Sequence, residues 1–304
     1  MPRVQFFDPV GVAASLLAEP GINVLRFEAA SGLLADGGRL IDETGGEPLG
    51  GSRRLLAVQS TRASHTFEAV IANCQIGRGV QAAMLNRSLL EDVLDVHWVA
   101  ANPEAAPQRA DEHDRLIALA EHREEHRFGR TDRLLTSAEL AELETLVELY
   151  GGRTRAFQSS WTRAGFPQRF DLVKERWSDD EGAAQYLDYV YDVIQRQNNV
   201  LLHGSPTGYR QAMSSDADGR PRQINRVGPD PRWRDSLSHG ALGYYMVLKV
   251  LVSEFSFEAD PLAEAFERTS CYLKPFAAPQ LSAVPDGTEC PCGSGRMVEH
   301  CHRW

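Results

Sequence analysis

Along most of the chain, apolar residues return every three or four positions, the period of a helix with one buried face. The run Leu140, Leu143, Val147 and Tyr150 is the clearest case. It follows a capping-box pattern, Thr136-Ser137-Ala138-Glu139, and stops at Gly151-Gly152. From Leu55 to Ala100 the helical pattern is broken only at Gly77 and Gly79, and Asn102-Pro103 ends it. Residues 108–127 predict a helix with a wide charged face, with Leu116, Ile117 and Leu119 as its main apolar contacts. Asp8-Pro9 reads as an N-cap followed by proline in the first turn, and Pro20-Gly21 as the end of that helix. A short helix is expected from Asn23 to Leu34. Others fit 153–165, 168–177, 181–203, 235–257 and 260–273. Strand-like alternation is scarce and no internal repeat stands out. The expected fold is mostly α, an antiparallel helical bundle with a small separate C-terminal unit.

The breaks between helices set the organisation. Gly45 to Ser52 reads as a loop, and Ser205 to Pro231, rich in Gly, Pro, Ser and Asp, as a long one. Lys274 to Glu289 carries three prolines and reads as a linker. This divides the chain into an all-helical domain over 1–273, with its core at about 55–260, a linker over 274–289 and a separate knuckle over 290–304.

Composition narrows the function classes. A chain of 304 residues with 42% hydrophobic and 24% charged residues can bury a sizeable core. Its formal net charge of −10 argues against a protein that coats nucleic acid without specificity. No apolar run is long enough to span a bilayer, and the first residues lack a signal-peptide pattern. A cytoplasmic protein with no membrane partner is expected. Cys74 and Cys271 read as small buried apolar residues in a reducing compartment.

The remaining three cysteines lie together at the end. Cys290, Cys292, Cys301 and His302 form a Cys-x-Cys-x8-Cys-His pattern, a full N/S ligand set for one tetrahedral zinc, with His300 as a nearby second imidazole. Gly293 and Gly295 allow a tight turn around the ion. A knuckle this small has almost no core, so the metal would supply its folding free energy, roughly 10–16 kcal/mol near neutral pH. One structural zinc per chain is expected. The stretch Cys290-Pro-Cys-Gly-Ser-Gly295 followed by Cys301-His302 resembles the SEC-C motif. The resemblance implies the same four ligands and a chaperone, ribosome or other macromolecular partner. Between the ligand pairs this chain has Arg296, Met297, Val298, Glu299 and His300, where the motif usually carries lysines and a tyrosine.

Within the helical body, Arg87 and Glu91 sit four apart on one helix face. Two readings stand: an intrahelical ion pair, or a buried polar pair at the bundle centre that needs a further partner such as His203. Arg196 and His203 also share a helix face. The Arg-x-x-x-Glu helix and the later His203-Gly-Ser element resemble a bacterial all-helical domain of unknown function often seen beside defence genes, over residues 55–260. The Arg196/His203 spacing further resembles the HEPN ribonucleases. That resemblance implies His203 as the group assisting attack of a ribose 2′-OH, and Arg196 as the scissile-phosphate contact, with no metal. Arg115/His122, Arg232/His239, Arg234/His239 and Arg296/His302 fall at similar spacings. His122 and His126 lie four apart and offer a second metal pair against a solvated-face reading. The arginines from Arg220 to Arg234, with Trp233, form a loop suited to phosphates and a stacked base. A binding or regulatory protein whose knuckle docks a protein or ribonucleoprotein partner is expected. The alternative is a HEPN-like metal-independent ribonuclease or defence effector, with RNA as its substrate.

Overall fold

A computed structural model describes residues 22–45, 49–129, 135–152, 160–178, 187, 213–215, 221–224 and 233–273. Among the described residues the protein is mostly helical. The helices are α1 (Ile22–Thr44), α2 (Gly51–Gln75), α3 (Gly79–Ala101), α4 (Ala105–Arg127), α5 (Ser137–Leu149), α6 (Phe166–Arg176), α7 (Trp233–Phe255) and α8 (Asp260–Leu273). The predicted helices at 8–20 and 181–203, the linker over 274–289 and the knuckle over 290–304 lie outside the described residues, apart from Leu187, which is buried in the main core.

Helix α3 is central. It packs against α2, α6 and α7, and every residue from Asp92 to Val99 is buried. A helix covered on all sides belongs at the middle of a core rather than on its edge. Around it lie Phe67 and Val70 of α2, Leu237, Tyr244, Leu248 and Leu251 of α7, and Phe170 and Val173 of α6. Helix α1 packs on α2, α7 and α8. The α2–α3 connection is tight because Gly77 takes φ 71°, which lets the Arg78 amide donate back to the Asn73 carbonyl at 2.8 Å.

Several boundaries differ from expectation for physical reasons. Helix α1 runs ten residues beyond Leu34, through Gly37 and Gly38. Gly37 serves packing there, since a Cβ would stand 2.2 Å from the Tyr244 hydroxyl of α7. The expected helix over 153–165 does not reach its end, because residues 160–165 form an irregular turn. Arg163 has φ 58°, and the Thr162 hydroxyl accepts from the Ala164 amide at 3.2 Å, a local bond that competes with a helix. Gly165 then caps α6, with Pro167 in its first turn. Inside the expected 205–231 loop, β1 (Met213–Ser215) pairs antiparallel with β2 (Pro221–Ile224), Met213 opposite Ile224.

Helices α4 and α5 form a hairpin with its own small core of Leu116, Leu119, Leu143 and Val147. Ile117, expected among the main apolar contacts of this helix, is instead exposed. The first turn of α4 reaches back to the main core through Ala106. The capping box on α5 is present: the Glu139 amide donates to the Thr136 hydroxyl, and the Glu139 carboxylate accepts from the Thr136 amide at 2.7 Å.

Candidate functional site

Polar groups inside a covered helix must find partners or leave a desolvation cost uncompensated. On α3 those groups are Asp92, Asp95 and His97, and each is tied to a different neighbour. Asp95 accepts from the Trp161 indole N–H at 2.8 Å and from Arg169 of α6 at 2.5 Å. The second Nη of Arg169 donates to Glu91 at 2.7 Å, and the other oxygen of Glu91 pairs with Arg87 at 2.6 Å. Arg87 in turn lies over the Phe166 ring, 5.1 Å from its centroid. One continuous layer therefore runs Arg87–Glu91–Arg169–Asp95–Trp161 along the α3–α6 seam. Both readings of the Arg87–Glu91 pair meet here: it is intrahelical, and it is joined to a buried layer. The partner is Arg169. His203 lies outside the described residues.

Asp92 faces the other way, toward α2. Its Oδ1 is bound by Arg62, whose side chain is 59% exposed, whereas that of Asp92 is 1% exposed. Its Oδ2 is buried and has no hydrogen-bond partner among the described residues. Burial pushes this carboxyl up to about 6, against the pull of Arg62 and with the repulsion of Asp95 and Glu91 adding to the rise. Asp95 is also raised, burial outweighing its bonds to Trp161 and Arg169.

His97 is used on both ring nitrogens. Nδ1 lies 2.8 Å from the Val93 carbonyl, and Nε2 lies 3.0 Å from the Trp177 indole nitrogen. Because the indole can only donate, Nε2 is the acceptor and Nδ1 carries the proton. Burial pushes its pKa down to about 4, so the ring is neutral near pH 7. Trp177 also carries the Lys249 ammonium 4.0 Å above its ring.

The α4–α5 hairpin meets this region through residues 160–165. Glu112 accepts from Tyr150 and Gln108 at 2.7 and 2.9 Å and is paired with Arg163. Burial alone would raise the Glu112 carboxyl, but these hydrogen bonds and the Arg163 charge hold it below its usual range. The Arg163 guanidinium sits 3.5 Å over the Tyr150 ring. Arg109 donates to the Thr162 carbonyl at 2.5 Å and covers Trp98, which packs edge-on against Trp161.

The residues singled out from sequence fare differently. Arg196, His203, Cys290, Cys292, Cys301 and His302 all lie outside the described residues. Arg115 and His122 do not form a free pair: Arg115 binds Glu142 at 2.5 Å, and His122 Nδ1 accepts from the Leu135 amide at 3.0 Å. Arg234 and His239 are five apart on α7, about 140° around the helix, and therefore do not converge. Burial pushes His239 down to about 4. The rings of His122 and His126 are 6.4 Å apart, but no group of three or more His, Cys, Asp or Glu able to hold a metal occurs among the described residues. Trp233 is no platform for a base, because it is 3% exposed and stacks on Phe27 at 5.2 Å. Cys74 is buried, with its thiol directed at the Trp233 carbonyl.

Sequence reading missed Asp92, Asp95, Trp161 and Arg169. The available signal was two carboxylates set inside the apolar run Leu89-Leu90-x-x-Val93-Leu94-x-Val96. Chemically, the layer cross-links helices, and among the described residues neither Arg169 Nε within it nor Asp92 Oδ2 beside it has a hydrogen-bond partner, although both are buried.

Residues 54–220 match a family described as a family of unknown function, DUF5677. The chain belongs to this family. Every member of the Arg87–Glu91–Arg169–Asp95–Trp161 layer falls inside the matched segment, whereas α7 and α8 fall beyond it. No curated protein and no solved structure matches the chain. The match corrects the family readings drawn from short motifs. The tail at 290–302 matches no SEC-C family, so the likeness of Cys290, Cys292, Cys301 and His302 to that motif does not assign the chain. The matching family is described only as of unknown function, so the Arg196/His203 spacing does not assign the chain to the HEPN ribonucleases, and the domain of unknown function resembled over 55–260 is matched over 54–220. Arg/His spacings recur by chance, whereas a match over more than half the chain integrates many positions.

Proposed function

We propose that this protein is a non-catalytic binding or regulatory protein of the cytoplasm. In this reading a helical domain carries a C-terminal segment, folded by one structural zinc on Cys290, Cys292, Cys301 and His302, that docks a protein or ribonucleoprotein partner. The observation that carries the non-catalytic part is the closed state of the α3 layer. His97 uses both ring nitrogens internally, and Arg169 divides its guanidinium between Asp95 and Glu91. A general acid or base must reach substrate, and these groups reach one another. The zinc part is supported by the donor chemistry, three thiols and an imidazole at tetrahedral-site spacing. No helix among the described residues is long and apolar enough to cross a membrane.

The test has two readouts on one preparation. Protein purified under reducing conditions should carry about one zinc per chain, lost in Cys292→Ser while the helical circular dichroism persists. Incubation with RNA should leave the RNA intact. Absence of stoichiometric metal contradicts the zinc part. RNA cleavage that disappears in both Arg196→Ala and His203→Ala would replace this reading with a metal-independent ribonuclease, in which His203 is the acid–base group and Arg196 the phosphate contact.

A further inference from the structure

We propose that the α4–α5 hairpin is a hinged arm, latched closed by Arg163 on Glu112 and Tyr150, whose opening frees Trp161 and uncovers Asp95. The inference rests on how unevenly the hairpin is attached. Among the described residues its own core has four buried members, Leu116, Leu119, Leu143 and Val147, with Leu135, Leu140, Leu146 and Tyr150 packed against them, separate from the main core. Among the described residues, Ala106 in the first turn of α4 is the hairpin's buried apolar residue in the main cluster. A unit with so little common apolar surface can open at a lower free energy than the bundle unfolds.

Both ends of the arm are suited to turning. Its entry is the turn after Asn102, where α3 stops. Its exit is Gly151-Gly152, with φ values of 80° and 92° that only glycine adopts without strain. Between these ends, polar contacts join the arm to residues 160–165. Arg163 pairs with Glu112 and covers Tyr150, and Arg109 grips the Thr162 carbonyl.

Residues 160–165 form a strap with two sides. Its outer side is held by the arm. Its inner side is Trp161, which packs on Trp98 and donates to Asp95. Arg163 holds φ 58°, a left-handed conformation that a non-glycine residue keeps only when its surroundings impose it. When the arm swings away, that imposition ends and the strap relaxes. Trp161 then leaves Asp95, and the carboxylate that Arg169 shares becomes reachable from outside. The arm thus controls access to the polar layer of α3.

Hydrogen exchange on the full-length chain tests this. In the wild type, amides of α4 and α5 should exchange at least about ten times faster than those of α3 and α7. Arg163→Ala should accelerate α4, α5 and 160–165 by a further ~10-fold, leaving α3 and α7 unchanged, and Tyr150→Phe should do the same more weakly. The indole N–H of Trp161, assigned by its loss in Trp161→Phe, should lose protection in Arg163→Ala. A single common exchange rate for all helices in the wild type overturns the arm. So does parallel acceleration of α3 and α7, or no change in either latch variant. An indole that stays protected while α4 and α5 open overturns the coupling to Asp95. If Arg163→Ala does not fold, the wild-type rates and Tyr150→Phe decide the matter.

Discussion

Arginine meets carboxylate in two parts of this molecule with opposite surroundings. In the α3–α6 layer the side chains of Arg169 and Asp95 are each 6% exposed, and a second carboxylate, Glu91, shares the same guanidinium. On the α4–α5 hairpin, Arg115 and Glu142 are 37% and 66% exposed. Distances do not distinguish them, since both pairs close to 2.5 Å. Burial does. In water the ions are solvated with or without each other, so the exposed pair adds little. In the core each ion has given up its hydration, and losing a partner leaves a charge with no replacement. The same chemistry is decoration on one element and a structural tie on the other.

The sharpest way to break the contrast is Arg169→Ala. It should cost about 3–5 kcal/mol in chemical unfolding, because Asp95 and Glu91 would both lose their shared cation. Asp92→Asn should act in the opposite direction. The Asp92 carboxyl rises from 3.8 to about 6 on folding, so the folded state prefers it protonated. The cost of ionising it grows as pH rises from about 4 to about 6 and stays constant above. Removing that charge, which faces Arg62 from α2 and Asp95 and Glu91 from its own helix, should stabilise the protein by up to about 3 kcal/mol at pH 8. Below pH 4 variant and wild type should converge, and the pH series of their difference checks this.

Smaller effects belong to the hairpin. Thr136→Ala removes the capping oxygen of α5 and should cost about 1 kcal/mol, read as faster exchange in the first turn of α5 alone. Glu142→Ala should change unfolding by no more than about 0.5 kcal/mol, and added salt should shrink even that. A Glu142→Ala effect as large as that of Arg169→Ala would erase the comparison.

Local signals were legible in the sequence. The Thr136/Glu139 capping box and the bounds of α8 depend on neighbours within a few residues, and both stand as read. Where the deciding contact is remote, the sequence pattern pointed elsewhere. The helix expected to end at Leu34 runs on through Gly37, which makes room for Tyr244 of α7. The turn at Arg163 is held by Glu112, 51 positions away. Arg169 finds Asp95 and Glu91 at separations of 74 and 78 residues, and no local pattern marks such a partner. Trp233 looked like a loop indole beside arginines, but it is the first residue of α7 and closes over Phe27. The candidate site was visible only as two carboxylates in an apolar run. Their meaning came from α6 and the strap before it.

The central claim is that burial makes the α3–α6 ion pairs a structural tie. A double-mutant cycle on Arg169→Met and Asp95→Asn measures it most directly, by chemical unfolding at pH 7. The account predicts a coupling of about 1–3 kcal/mol, the double variant costing less than the two single changes added together. Additive effects, with coupling below about 0.3 kcal/mol, would contradict it.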